Sequence, residues 1–233
     1  MSDRTAPPPP APSSGRAVPR PAASAPGAGS WAPAASPVVP AVVLRAATVL
    51  AVGLTIGVLT SLGQTVLGTP LSALVNSASA WLVAPYLVGR SAPSIRTGAA
   101  LGFVVCAAQL VGYDVASVLR GFGAGGAQNV FWGACAVVGG PVFGAAGALR
   151  RTGAPGLRGI GSTVLPAAFL AEGAWVYGHE LQYWSTLALW AVIGLVLLVV
   201  GSRGTIERRW IGLTLPVALL GELALTATYT RAF

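Results

Sequence analysis

Three of the six acids in this 233-residue chain, Asp114, Glu172 and Glu222, stand inside long apolar runs. A charged side chain at the centre of a membrane span costs roughly 2.5–3.5 kcal/mol on insertion scales, so its presence points to a task. The tasks open to it are holding a cation, exchanging a proton, or accepting hydrogen bonds from a neighbouring helix. Glu172 closes the run Leu165-Pro166-Ala167-Ala168-Phe169-Leu170-Ala171-Glu172, and Glu222 closes Leu215-Pro216-Val217-Ala218-Leu219-Leu220-Gly221-Glu222 fifty positions later. Leu, Pro, Ala, Leu and Glu recur at the same offsets, and Arg158 aligns with Arg208. The Pro and Glu matches carry the repeat, since Leu and Ala are abundant throughout.

Spacing sets the expected depth of these groups. Asp114 precedes Arg120 by six residues, Glu172 precedes His179 by seven, and Glu222 precedes Tyr229 by seven. At about 1.5 Å per helical residue, each acid lies roughly 9–11 Å below the outer helix ends. Asn76, six residues after Pro70, falls at the same level and shares a helical face with Ser72 and Ser79. Trp175 and His179 follow Glu172 on its face, Thr226 and Tyr229 follow Glu222, and Ser117 shares the face of Asp114. The candidate binding set is therefore Asp114, Glu172, Glu222, Asn76, Trp175 and Tyr229, around an outward-facing pocket above a sealed inner half. Pro166 and Pro216 each remove a helix hydrogen bond, and kinks there would widen the outer mouth. Neighbouring Glu172 and Glu222 would titrate as a coupled pair. Two readings stay open: a pocket for a small cationic solute or for protons, and a structural or accessory membrane subunit whose acids are interhelical glue. Trp175, Tyr177, Tyr183, Trp184 and Tyr229 also fit an interfacial aromatic belt.

The elements that must position these groups are membrane helices. Hydrophobic residues make up 54% of the chain and charged ones 9%, too few charges to cover a soluble domain of this size. The expected fold is all-α: a polytopic bundle of seven transmembrane helices near 42–63, 70–89, 97–119, 127–149, 159–178, 182–201 and 210–230, within a domain spanning 41–233. All fourteen basic residues are Arg, and they fall on two sides in a ratio of twelve to two. The majority side is cytoplasmic by the positive-inside rule, which puts the N-terminus inside and the C-terminus outside. The absence of Lys and the Ala and Gly richness suggest a high-GC bacterial genome and so a bacterial plasma membrane. The Arg distribution explains the net charge of +8 without nucleic acid. Residues 1–40, rich in Pro, Ala, Ser and Gly, are predicted as a disordered cytoplasmic tail; they hold no apolar core of a signal peptide. Ala136, Gly140, Gly144 and Ala148 form a small-residue ridge for close helix packing, and Leu187 to Val200 reads as a lipid-facing wall.

Other chemistries find little support. Cys106 and Cys135 lie at different expected depths and read as small buried side chains, and no His/Cys cluster points to a metal site. His179 is the sole histidine, beside Glu180 in an outer turn, which leaves a serine nucleophile without a persuasive base. Gly121-Phe122-Gly123-Ala124-Gly125-Gly126 follows no strand, so it is no phosphate loop. No enzyme, cofactor or metal is expected; the lipid bilayer is the partner composition names, and protein partners are left unassigned.

At Asn76-Ser77-Ala78-Ser79-Ala80-Trp81, at Phe131-Trp132 followed by Gly139-Gly140-Pro141-Val142-Phe143-Gly144, and at Ala168-Phe169-Leu170-Ala171-Glu172-Gly173, the chain resembles a family of small multi-span proteins of unknown function common in actinobacteria. The resemblance covers roughly residues 45–230 and implies a membrane bundle without implying an activity. In architecture alone the chain is also similar to the six-span, outward-binding substrate components of energy-coupling-factor vitamin transporters, from which seven expected spans set it apart.

Overall fold

The long apolar runs are helices. A computed structural model describes residues 41–123, 125–202 and 204–232, so the tail expected over 1–40 lies outside the described residues. The elements are α1 (Ala41–Val66), a 3-10 turn (Leu71–Val75), α2 (Ala78–Trp81), α3 (Val83–Arg90), α4 (Ile95–Leu119), α5 (Gly126–Thr152), α6 (Arg158–Glu172), a π-helical segment (Gly173–Glu180), α7 (Trp184–Gly201), α8 (Thr205–Arg208) and α9 (Ile211–Ala232). Among the described residues, six helical stretches are long and apolar enough to cross a bilayer, α6 and its π-helical extension counting as one.

The second of the seven expected spans is interrupted. Residues 70–89 do not form one helix; the backbone breaks at Asn76 and Ser77, between the 3-10 turn and α2. Ser77 is extended (φ −101°, ψ 131°), and its hydroxyl accepts the Ala80 amide at 3.1 Å, an N-cap that starts a new helix inside the apolar run. The regular face expected for Ser72, Asn76 and Ser79 is lost with it. A second difference lies after Glu172, where the ladder loosens to i→i+5 geometry and Leu181 N–H reaches Val176 C=O at 2.9 Å.

Packing follows the small residues. α4 lies between α1 and α5, α3 covers α4 and α5, and α6 contacts α5, α7 and α9. A Cβ at Gly53 would stand 2.6 Å from the Val105 carbonyl oxygen, and one at Gly140 would stand 2.7 Å from that of Gly102, so these backbones touch. α6 is the central helix, with 67% of its apolar window buried against 11% for α9. The outer side of α7 shows Val192, Leu195, Val196, Val199 and Val200, as a lipid-facing wall requires; Trp190 departs from that wall and is fully buried. α6 and α9 run parallel and in register: Gly159 abuts Trp210, and Thr214 Oγ1 donates to Thr163 C=O at 3.5 Å, offsets of 51 that parallel the sequence repeat.

Gly144→Val puts a branched side chain where the Gly98 carbonyl and the Gly102 Cα already sit. Overpacking of this kind costs about 1–3 kcal/mol. In detergent, Gly144→Val should lower the melting temperature and monodisperse yield, whereas Gly68→Ala, with open space around its Cβ, should change neither.

Candidate functional site

The buried carboxylate of Glu172 organises the centre of the bundle. It is 3% exposed on the central helix, and its Oε2 accepts four donors. Ser77 Oγ donates at 2.7 Å, Ser79 N–H at 2.9 Å, Ser79 Oγ at close range, and Trp190 Nε1 at 3.4 Å. The donors come from both sides of α6: the broken second segment and α7. Tyr177 and Phe169 pack on the Trp190 ring, with centroids 4.8 and 6.1 Å away. A carboxylate in a poorly solvated interior is tolerable when its lone pairs are filled in this way.

Ser77 also lines a cavity of about 440 Å3. Its walls are the last turns of α1, the break at Asn76 and Ser77, the C-terminal half of α4, and the start of α5. Part of the lining is a hydrogen-bonded polar chain, set among Val75, Trp81, Leu110, Phe122 and Trp132. Tyr113 OH donates to Gln64 Oε1 at 3.0 Å, Gln64 Nε2 donates to Asn76 Oδ1 at 2.8 Å, and Asn76 Nδ2 donates to the Ser72 carbonyl at 2.9 Å. Trp81 stands edge-on to Tyr113, with ring centroids 6.1 Å apart.

Two opposite charges face this cavity without pairing. Asp114 is half-buried; its Oδ2 accepts Asn129 Nδ2 at 2.7 Å, and its Oδ1 has no hydrogen-bond partner among the described residues. Arg120 donates to the Ser61 carbonyl, to Ser61 Oγ at 3.0 Å and to Thr65 Oγ1 at 2.8 Å, and lies 5.0 Å over the Phe122 ring. The guanidinium is thus committed to α1, which leaves the carboxylate as the charge with an open acceptor.

Of the six residues singled out by spacing, Asp114 and Asn76 meet at the cavity, and Glu172, Glu222, Trp175 and Tyr229 do not line it. Glu172 stands behind its wall, one hydroxyl away through Ser77. Glu222 is buried on α9, within electrostatic range of Glu172 and of Cys135 on α5. Trp175 stacks on His179 at 4.4 Å, and His179 Nδ1 lies 3.4 Å from Glu180. Tyr229 meets Phe131 edge-on at 5.4 Å. Spacing did not find Gln64, Tyr113, Asn129 or Arg120 as lining residues, or Ser77, Ser79 and Trp190 as partners of Glu172. The available signal was a set of polar side chains near the ends of apolar runs. Among the described residues, no group of three or more His, Cys, Asp and Glu side chains could hold a metal ion.

Removing the acceptor strands the buried Ser79 amide and leaves the Ser77, Ser79 and Trp190 donors only one another, at about 1–3 kcal/mol for each buried donor left unsatisfied. Glu172→Ala should therefore lower the melting temperature and recovered yield far more than Asp114→Asn, read by thermal unfolding of the two purified proteins side by side.

Comparison with known sequences gives one family match: a family model described as "Family of unknown function (DUF6518)" covers residues 36–232. No curated protein matches the chain, and no solved structure matches it.

Proposed function

For a chain that belongs to the family of unknown function DUF6518, we propose a binding or transport role without catalysis: capture of a small cationic solute in the cavity at Asp114. The observation that carries this reading is the coincidence of a helix break with a cavity that holds a few convergent polar groups. Irregular backbone at membrane depth persists where it is buried in protein or lines a water-accessible space, and membrane transporters place such breaks at their binding sites. Here the break at Asn76 and Ser77 forms one wall, and the open oxygen of Asp114 supplies charge from another. A volume of about 440 Å3 suits a small molecule. The positive-inside distribution supports an arrangement with the N-terminus in the cytoplasm of a bacterial cell and this cavity facing outward.

A second reading, an accessory subunit held together by its buried acids, draws support from the Glu172 network, which is satisfied entirely within the protein. The two readings part on one measurement. Purified protein in detergent is heated with choline, putrescine, and anions and neutral solutes of similar size. Under the binding reading, an organic cation raises the melting temperature, and Asp114→Asn weakens that ligand by roughly tenfold or more while its ligand-free melt is unchanged. If no cation stabilises the protein, or the variant responds as the wild type does, the binding reading fails and the accessory one stands.

A further inference from the structure

The opposite end of the bundle carries a second hollow, of about 310 Å3. Its wall holds Arg90 from the end of α3, Arg150 and Arg151 from the last turn of α5, and Glu207 from α8 as the single carboxylate. Arginines at helix C-termini offset the partial negative charge there. That accounts for basic residues at two helix ends; it does not account for three guanidinium groups around one open space. Nor does the protein take up all of their donors. Arg151 uses Nη2 on the Ala92 carbonyl at 2.7 Å, and Arg90 is exposed, with no hydrogen bond or ion pair among the described residues. Leu87, half-exposed beside them, adds an apolar flank.

Guanidinium groups match phosphate oxygens two at a time, and basic pockets between helices at the cytoplasmic membrane surface accept phospholipid headgroups. We propose that this hollow binds a phosphate-bearing anion, with the headgroup of an anionic phospholipid and a free phosphate compound as the two sources of that chemistry. Glu207 restricts the site to ligands whose negative charge faces the arginines, and the apolar flank of Leu87 favours the lipid.

The test uses the full chain in a neutral detergent, melted in the presence of phosphatidylglycerol, phosphatidylcholine or inorganic phosphate. Phosphatidylglycerol should stabilise the protein and phosphatidylcholine should not. Arg90→Gln should raise the half-saturating phosphatidylglycerol concentration roughly tenfold, and Arg90→Lys, which keeps the charge and loses the fork, should fall between. Arg96→Gln, equally exposed at the same end but outside the hollow, should leave the response unchanged. Stabilisation by inorganic phosphate alone, lost in Arg90→Gln, would support the site and assign it a soluble ligand. Equal stabilisation by both lipids, or equal weakening by Arg90→Gln and Arg96→Gln, overturns the proposal.

Discussion

A carboxylate removed from water must be given hydrogen bonds or be abandoned by the fold. Glu172 draws its donors from residues 95, 93 and 18 positions away in the chain, so satisfying it joins the second segment and α7 to the central helix. The cost of an acid in an apolar interior thereby becomes a constraint on tertiary structure. Ser77 and Ser79 can serve Glu172 because the helix stops before them and restarts at Ala78. A continuous helix would commit the Ser79 amide to its own ladder, and here that amide donates to the carboxylate.

The break has a second face. Ser77 turns one side to Glu172 and borders the cavity with the other, so the buried acid fixes the cavity wall without entering the cavity. Asp114 and Arg120 illustrate a complementary device. They are six residues apart, about one and two-thirds helical turns, too far round the helix to pair, and each finds partners on a different neighbour, α5 for the acid and α1 for the base. Charges of both signs therefore survive side by side in one cavity, and the one with an unused oxygen sets its preference.

Run length and hydropathy made the six long helices legible, because a stretch of about 20 apolar residues has few other uses. The same criterion misread residues 70–89, since apolar content says nothing of an extended Ser77 held by a glutamate 95 residues away. Depth arithmetic placed Asp114 and Asn76 at one level, and they share a cavity. Face arithmetic was less informative. It assumed 3.6 residues per turn through Trp175 and His179, where the chain adopts π-helical geometry and the two rings stack four residues apart. Gln64, Asn129 and Arg120 were invisible for a different reason. They enter the site through adjacency of α1, α4 and α5, which periodicity within one helix does not encode. Trp190 was hidden by an aliphatic run whose other side is exposed.

The seams of the bundle are of two kinds. Between α1, α4 and α5, backbone meets backbone: Gly53 against Val105, Gly112 against Leu54, and Gly98 against Gly144 leave no side chain whose rotamer could change. Between α6 and α7 the contact is made by side chains, with Leu170 filling the space over Gly194 and Trp190 the space over Gly173. Backbone surfaces in van der Waals contact move as one plate, while a seam filled by rotatable groups can slip by repacking them. An enlarged glycine is therefore met by fixed backbone between α1, α4 and α5, and by a side chain that can give way between α6 and α7.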